Sequence, residues 1–484
     1  MIGLTSGLLR AGAVAGIAIF FLMSCHVGPD YRPPVPPEGA EGALVAVNNA
    51  AESLTPPPDA WWHLYNDPRL DALVQEALQA NRDLAAADAN LAGAQAVVAE
   101  VHARRYPSTD VAAGVVRGRD PITDEILELT ARPPQTISLY EDLFQVAYEV
   151  DIFGRIYRSI EAANANAESV AAALDIVRVL VAADTARSYA AVCALGEELD
   201  VALHSLDVVS REAAITRRRY EAGAASEFDV TRAQALVGQV RSSIPRLEGE
   251  RKAALFELTA VLGRTPTNAP RELEKCVTPP RVAFLIPVGD GRGLISRRPD
   301  VRQAERRLAA ATAQIGVATA DLFPTIRLTG FYGGAASGTS QLTTSLGLAW
   351  GLGPSISWTF PNQAGPRARV RQAEASQVAA LATFDSVVLT ALKETEQALA
   401  GYSAELDRRQ ALADAQGEIH RSFDIAHDEY LAGSVSNLDL LTTEQSLVAL
   451  DAAVASSDAS LIQLQIDLFK ALGGGWHNES LRSP

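Results

Sequence analysis

Apolar residues recur at intervals of three and four positions along most of this chain. One series covers residues 192–220, a second 230–261 and a third 440–468. Such steps keep apolar side chains on one narrow stripe of a helix, as in coiled coils. Residues 154–220 include no proline, and as one helix they would be about 100 Å long. The pattern therefore predicts long helical rods that pack through narrow seams.

Two other segments alternate between apolar and polar or small residues, which is typical of strands with one apolar face. Each has an upstream partner, around residues 108–116 and 325–332, across a loop that carries Gly, Thr, Ser or Pro. The sequence therefore predicts two hairpins, or four strands per chain. The alternating apolar residues are Phe144, Val146, Tyr148 and Val150 in one segment and Ile356, Trp358 and Phe360 in the other.

Part of the sequence occurs twice. Residues 219–230 match residues 429–440, with Tyr, Gly, Ser and Asp at equivalent positions. Leu262 and Gly263 match Leu472 and Gly473 at the same spacing. Because the helical and alternating patterns also recur in the same order, we interpret the chain as a tandem duplication.

Composition excludes several classes of function. Lys and Arg number 42 against 58 Asp and Glu, so the formal net charge of −16 argues against a nucleic-acid partner. The three cysteines lack the paired spacing of a zinc site, and we expect no structural metal. The sequence also contains no nucleophile or phosphate-binding motif in a suitable context, so we predict neither a cofactor nor an enzyme.

The amino terminus predicts export. An apolar run over residues 11–23 is too short to span a bilayer comfortably and is typical of a signal peptide. It ends in Leu22-Met23-Ser24-Cys25, which predicts lipidation of Cys25; an ordinary signal peptide before a free or disulfide-bonded cysteine is the alternative. The next residue is His26 and not the aspartate that is associated with inner-membrane retention in some bacteria, which favours the outer membrane. Several prolines then predict an extended tether between the lipid and the folded body.

Alternating strands in an exported protein suggest a transmembrane barrel with its apolar side towards lipid. Four strands cannot close a barrel, and an open sheet edge cannot lie in hydrocarbon. The chain is therefore predicted to form an oligomer. Two chains would give eight strands and three would give twelve, and the sequence pattern alone does not distinguish these. A soluble hairpin packed on helices is the alternative.

Several short motifs together resemble one known family. The chain is similar to the outer membrane efflux lipoproteins of nodulation type (NodT), a branch of the TolC-like outer membrane factors. The matching segments are Gly28-Pro29-Asp30-Tyr31, Trp61-Trp62, residues 66–70 and 81–84, Asp151-Ile152-Phe153-Gly154-Arg155, residues 296–301 and Phe323-Pro324.

The resemblance implies an α+β membrane protein. A homotrimer would form a twelve-stranded outer-membrane β-barrel, continued by a long antiparallel α-helical tunnel in the periplasm. Its partners would be outer-membrane lipid, a periplasmic adaptor protein and an inner-membrane transporter. The protein would be lipid-anchored and membrane-spanning, and it would passively conduct substrates out of the cell through a gate at the helix tips.

This interpretation divides the chain into six parts. They are a signal peptide (1–24), a lipidated tether (25–60), a first efflux repeat (61–270), a linker (271–296), a second efflux repeat (297–474) and a tail (475–484).

Two Gly-x-x-Ser-x-x-Asp turns join pairs of rods and would form the tunnel tips. Glycine ends one helix, and serine caps the next, with aspartate at the third helical position. The resemblance implies adaptor docking at both turns and a pore constriction at Asp439, whereas Thr442 stands where the family often has a second acidic residue. The tip residues are Gly223, Ser226, Asp229, Gly433, Ser436 and Asp439.

Four further groups have a structural and a functional interpretation. Residues Arg297, Arg298, Pro299 and Asp300 would open a helix that joins the two repeats. Arg217, Arg218 and Arg219 would face Asp428 and Glu429, either as ion pairs or as a solvated surface. His420, Asp424 and His427 share a helix face, and we expect a solvated face rather than a metal site. Cys193 and Cys276 would be either a disulfide or two buried thiols.

The leading hypothesis is therefore a passive exit duct of a tripartite efflux system. An exit duct of a protein-secretion system is the nearest alternative. A periplasmic coiled-coil scaffold lipoprotein, whose hairpins would not enter the membrane, is a second. An enzyme with a His420 and His427 site is the third.

Overall fold

The computed structural model describes most of the chain in two compact units. The described residues are 26–47, 52–119, 129, 133, 136–282, 286–345 and 347–474. The predicted signal peptide, the lipidation site Cys25 and the predicted tail lie outside them. Unit 1 comprises residues 1–34, 91–170 and 304–383, and unit 2 comprises residues 35–90, 171–303 and 384–484.

Helices account for most of the described residues, as the three-and-four spacing predicts. Two of them contain 67 and 69 residues, and two more contain 35 residues each. The α-helices in the described part of the chain are α1 (Pro68–Ala80), α2 (Arg82–Ala103), α3 (Arg155–Glu221), α4 (Glu227–Val261), α5 (Gly291–Arg297), α6 (Pro299–Ala320), α7 (Ala364–Ala432) and α8 (Asn437–Ala471). Short 3-10 helices cover Trp61–Tyr65, Pro266–Asn268, Arg271–Lys275 and Thr339–Gln341.

The predicted hairpins form one antiparallel sheet of four strands in unit 1. Its order is β2-β3-β5-β6, so the two hairpins lie side by side. The strands of the described chain are β1 (Glu52–Ser53), β2 (Ser108–Gly118), β3 (Ile137–Val150), β4 (Ile286–Pro287), β5 (Thr325–Ala336) and β6 (Leu348–Ser357).

The end of β6 differs from the sequence expectation. The alternation predicted that Trp358 and Phe360 continue the strand, but β6 ends at Ser357. The two rings instead stack on each other with 4.7 Å between their centroids, and Trp358 Nε1 donates to the Leu322 carbonyl. Both rings therefore find partners outside the strand ladder.

The proline-rich segment is not a loose tether. It contains no helix over residues 26–47, as predicted, but residues 28–31 pack within unit 1. A Cβ at Gly28, which has a φ of 91°, would lie only 2.5 Å from the Cα of Gly316. Tyr31 donates a 2.8 Å hydrogen bond to Glu305, and Arg158 forms a 2.7 Å ion pair with Asp30. These contacts fix the first part of the segment to its own unit.

The later part of that segment packs within unit 2. Glu52 and Ser53 pair in parallel with Ile286 and Pro287, so β1 and β4 form a small second sheet. Downstream, the Trp61 ring is fully buried and stacks on Phe469 at 4.9 Å. The predicted tether therefore contributes a strand to unit 2, and the residue that follows it, Trp61, enters the core.

A disulfide lies within the main apolar core of unit 2. Cys193 on α3 bonds to Cys276, which follows the Arg271–Lys275 helix. Arg251 of α4 donates a 2.6 Å hydrogen bond to the Cys276 carbonyl. The linker between the two halves of the chain is thus attached to both α3 and α4, which decides the alternative that the sequence left open.

Within the described part of the chain, two helices are long and apolar enough to cross a membrane by length and composition. The 18-residue windows in α7 and α8 have mean hydropathies of 1.4 and 1.3. Only 17% and 33% of these windows are buried within the single chain. Because core helices also reach such values, hydropathy alone does not assign these helices to the membrane.

We predict that removing the disulfide lowers the free energy of unfolding by about 2–4 kcal/mol, because the bridge restricts the unfolded chain. The bridged residues are 83 positions apart, so the closed loop is long. Urea unfolding of Cys193→Ala/Cys276→Ala, followed by circular dichroism, measures the change. Reductant should destabilise the unmodified protein and leave the double variant unchanged. Equal unfolding midpoints in oxidised and reduced wild-type protein would contradict the prediction.

Candidate functional site

One face of the four-stranded sheet is apolar and exposed. Residues directly opposite each other across the strands share a face, and one such row is Val111, Phe144, Tyr332 and Trp350. Trp350 is 71% exposed. We call this surface the apolar face; its apolar members are Val111, Val115, Tyr140, Phe144, Val146, Tyr148, Val150, Ile326, Leu328, Tyr332, Leu348, Trp350, Leu352 and Ile356.

The opposite face of the same sheet is mostly polar or small. Glu149 on this face forms a 2.7 Å ion pair with Arg155 and lies 3.5 Å from Arg327. The larger apolar exceptions are Val116, Ile137, Leu139, Leu143 and Phe331. We call this the polar face; its other members include Ser108, Asp110, Glu141, Gln145, Glu149, Thr325, Arg327, Thr329, Ser355 and Ser357, with several glycines.

The sheet has two open edges in the single chain. Among the described residues, β2 and β6 each pair on one side only. The four strands contain 10 to 14 residues, which is sufficient to cross a bilayer when tilted. A sheet with one exposed apolar face and two open edges requires further strands before it can lie in a membrane.

The first predicted tip has the expected capping geometry. Gly223 has a φ of 78° after α3, and Ser226 caps α4. The Asp229 N–H donates to Ser226 Oγ at 3.2 Å, while the Ser226 N–H donates to Asp229 Oδ2 at 3.0 Å. The Ser226 hydroxyl also donates to Asp229 Oδ2 at 2.7 Å, and this hydrogen bond, followed by that of the Ser226 N–H, lowers the pKa of Asp229.

The second tip repeats this geometry. Gly433 has a φ of 82°, and the Ser436 hydroxyl accepts from the Asp439 N–H at 3.2 Å and donates to its carboxylate at 2.6 Å. Asp439 and Thr442 are exposed, and the Thr442 hydroxyl donates to the Leu438 carbonyl of its own helix. Asp439 therefore retains an exposed carboxylate while it takes part in the cap.

Of the two interpretations of Arg217, Arg218 and Arg219, the interhelical ion pairs are not found among the described residues. Among the described ion pairs, none links Arg217, Arg218 or Arg219 to Asp428 or Glu429. Instead, Arg217 forms an ion pair with Glu221, four residues further along its own helix.

Arg219 reaches an aromatic residue instead. Its guanidinium lies 4.2 Å from the centre of the Tyr430 ring and donates to the Tyr430 carbonyl at 2.8 Å. Asn437 donates to the Thr216 hydroxyl and to the Tyr430 hydroxyl. Sequence reasoning missed Thr216, Tyr430 and Asn437 as contact residues, although Tyr430 was visible as part of the repeat.

The histidines on α7 have separate partners. His420 Nε2 lies 3.0 Å from Asp451, and His427 Nδ1 lies 3.2 Å from Glu212. The described residues contain no group of three His, Cys, Asp or Glu that could hold a metal ion. Glu212 and the buried Glu444 were not selected from the sequence, because a charged residue in a heptad pattern gives no indication of burial.

The Arg297 to Asp300 motif forms a junction within unit 2. The sequence predicted that all four residues open one helix, but Arg297 ends α5 and Arg298 follows it, so α6 begins at Pro299. Arg297 forms a 2.7 Å ion pair with Asp59. The break occurs because Pro299 lacks an N–H and disfavours helical geometry in the residue before it.

Arg298 is the centre of this junction and is only 8% exposed. It binds the Asp300 carboxylate through two nitrogens, at 3.0 and 2.7 Å. It also contacts Glu394 of α7 at 2.8 Å and donates to the carbonyl of Ala471, the last residue of α8. One guanidinium therefore joins three helices of unit 2.

We predict that Arg298→Ala lowers the free energy of unfolding by about 2 kcal/mol. The substitution leaves two carboxylates and the Ala471 carbonyl without their shared donor, and partial solvent access to the carboxylates limits the cost. Arg292→Ala is the matched control, because Arg292 is 73% exposed at its side chain and forms a surface pair with Glu41. Urea unfolding midpoints should fall for the first variant only; an equal effect in both would contradict the junction role.

Comparison with known proteins gives a consistent result. The family described as outer membrane efflux protein matches residues 73–264 and 292–474. Nodulation protein T of Rhizobium leguminosarum bv. viciae is 29% identical over 476 residues, which cover 97% of this chain and 95% of that protein. The pyoverdine export outer membrane protein OpmQ of Pseudomonas aeruginosa is 30% identical over 441 residues, or 87% of this chain and 88% of its own.

A solved structure has the same fold. The structure of the outer-membrane channel OprN superposes with a TM-score of 0.86 and 33% sequence identity. The match covers 93% of this chain and all of that one. The resemblance inferred from the short sequence motifs is thereby confirmed.

Proposed function

Because the chain belongs to the outer membrane efflux protein family, we propose that three copies of it assemble into one outer membrane channel. The protein is the exit duct of an efflux system and is located in the outer membrane, from which it extends into the periplasm. The family consists of channels rather than enzymes. The working partners we propose are a periplasmic adaptor protein and an inner-membrane transporter.

The two-faced sheet is the observation that carries this proposal. Its apolar face exposes Trp350 and Leu352, whereas the polar face carries carboxylates and hydroxyls. In a closed barrel the first face would contact lipid and the second would line water. Pairing β6 of one copy with β2 of the next would satisfy both open edges.

The size of the lumen favours three copies over two. An eight-stranded barrel has an interior that side chains fill, so two copies would leave no duct. Twelve strands from three copies would give a wider barrel. The exposed apolar windows of α7 and α8 also support an oligomer, because neighbouring copies would cover them in a helical tunnel.

We further propose a tandem duplication with the boundaries expected from the sequence, at 61–270, 271–296 and 297–474. The order helix, helix, strand, strand, helix, helix occurs twice, as α1, α2, β2, β3, α3, α4 and as α5, α6, β5, β6, α7, α8. The two separate stretches matched by the family support the same division. Each half would supply one hairpin and one pair of rods.

Lipidation at Cys25 is part of the proposal. His26, the next residue, packs its ring on Tyr157 at 4.0 Å, and the Val27 N–H donates to the Phe153 carbonyl. Phe153 lies three residues beyond the end of β3. An acyl chain on Cys25 would therefore start close to the end of a membrane strand, where outer-membrane lipid is within reach.

The helix tips are the proposed docking and gating region. Gly223, Ser226 and Asp229 at one turn, and Gly433 and Ser436 at the other, would present rigid capped ends to the adaptor. Asp439 from three copies would form an acidic ring that narrows the pore and favours cations. Thr442, one turn further along α8, would line the same constriction without charge.

We predict that Leu352→Arg prevents stable insertion into the outer membrane. A charge at the centre of the lipid-facing side costs about 2–4 kcal/mol, whereas the lumen side tolerates it. The matched control is Ser355→Arg, on the polar face of the same strand. The amount of heat-modifiable, detergent-requiring oligomer in membrane fractions measures the difference. Normal assembly of both variants would contradict a lipid-facing role and favour the scaffold hypothesis.

We predict that Asp439→Ala enlarges the single-channel conductance and weakens cation preference, because it removes three charges from the constriction. The matched control is Asp229→Ala, which loses the equivalent carboxylate and its hydrogen bond from the serine hydroxyl at the other turn. Planar-bilayer recording of the detergent-purified protein, after its oligomeric mass is determined, tests the duct itself. Equal conductance in Asp439→Ala, Asp229→Ala and wild-type protein would exclude Asp439 as the constriction.

A further inference from the structure

Two buried glutamates lie a short distance behind the helix tips in unit 2. Glu212 is on α3, nine residues before its end at Glu221. Glu444 is on α8, seven residues after its start at Asn437. His427 of α7 faces Glu212. Neither the caps nor the proposed constriction uses these side chains.

Glu444 lies among apolar side chains. It is 1% exposed, and its Oε1 atom has no hydrogen-bond partner in the described part of the chain. Leu441 and Val448 lie on the same face of α8, three residues before it and four after it. Both belong to a cluster with Val209 and Ala213 of α3 and Ala233, Leu236, Val237 and Val240 of α4.

Glu212 is similarly enclosed. It is 8% exposed, and its Oε2 atom also lacks a hydrogen-bond partner among the described residues. Its Oε1 atom lies 3.2 Å from His427 Nδ1. A cavity of about 350 Å³ adjoins this pair. The other charged residues that line the cavity are Arg211 of α3 and Asp424 and Asp428 of α7.

The charges around the two carboxyls favour protonation of Glu444. Burial, and after it the nearby Glu212 carboxylate, raise the pKa of Glu444 to about 8. Burial also raises the pKa of Glu212, which His427 and then Arg211 oppose. From α4, the side chains packed in this cluster are apolar. Glu444 therefore has a carboxylate neighbour, and the residues on its side of α8, Leu441 and Val448, belong to an apolar cluster.

We propose that Glu212, His427 and Glu444 form a proton-controlled latch that keeps α8 packed against α3 and α4 behind the tips. With Glu444 uncharged, the apolar cluster is closed. Ionisation places an unpaired charge in that cluster and drives α8 towards a position in which the carboxylate reaches water. The effect on conduction rests on the proposed duct function.

The direction of the pH effect follows from proton linkage. The packed state holds the Glu444 proton up to about pH 8, whereas a water-exposed glutamate releases it near its ordinary pKa of 4.5. Packing is thus favoured at low pH and loses stability as the pH rises between these values. One proton changes the ratio of released to packed helices by at most about tenfold per pH unit.

The latch is connected to the tip contacts by the helices themselves. Asn437 at the start of α8 bonds to Thr216 of α3 and to Tyr430 of α7. Movement of α8 away from α3 at Glu444 therefore strains these bonds, which lie about two turns away along the same helices. Release of the latch should loosen the proposed gate.

Planar-bilayer recording between pH 5 and pH 8.5 tests the latch in the full-length protein. We expect the open probability of wild-type channels to rise with pH, and that of Glu444→Gln channels to stay low and constant. The matched control is Glu248→Gln, because Glu248 is an exposed carboxylate on α4, and it should behave as wild type. Glu212→Gln should reduce the rise in open probability at high pH, because it removes the charge that makes ionised Glu444 costly in the packed state.

Infrared titration provides a second readout that does not depend on conduction. A protonated-carboxyl band should disappear near pH 8 in wild-type protein and be absent from Glu444→Gln. Channels without pH dependence, or an unchanged transition in Glu444→Gln, would overturn the latch while leaving the duct function intact. Absence of any channel at every pH would contradict the duct function. In that case the infrared titration still tests the latch, and a missing infrared transition would reject it.

Discussion

The constraint on which this structure depends is that backbone polar groups must be hydrogen-bonded where no water is present. The four-stranded sheet exposes an apolar face that is unsuited to water, and its two open edges are unsuited to lipid. A single chain therefore cannot be the functional form in a membrane. The proposed trimer resolves both problems by joining edges into a closed barrel and turning the apolar face outward.

The rods outside the sheet obey a different rule. Their apolar stripes are narrow but run along helices of 67 and 69 residues. Other helices must therefore pack along these stripes to keep them from water. Helix starts leave unsatisfied N–H groups, and at each tip a serine hydroxyl accepts one of them, that of Asp229 or Asp439. A short capped turn can then be both a stable chain reversal and an exposed surface with a carboxylate, as at Asp439.

Buried charge is handled in two ways in unit 2. Arg298 is surrounded by acceptors from three helices, so its charge is retained and holds the junction together. Glu444 Oε1 has no hydrogen-bond partner among the described residues, and the side chain lies near another glutamate, so burial favours its neutral form. The Arg298 junction therefore stays intact as the pH changes, whereas the burial of Glu444 makes the packing of α8 depend on pH.

The sequence by itself determined the rods, the four strands, the capped turns at Ser226 and Ser436, and the family, because these depend on residue spacing and local hydrogen bonds. Only the tertiary structure decided that Cys193 pairs with Cys276, that Arg219 contacts Tyr430 rather than an acidic residue, and that residues 28–31 are docked. It also placed Arg297 at the end of one helix instead of the start of the next. Burial of Glu212 and Glu444 was hidden for the same reason: the environment of a side chain is set by neighbours that are distant in sequence, and spacing along one helix does not contain that information.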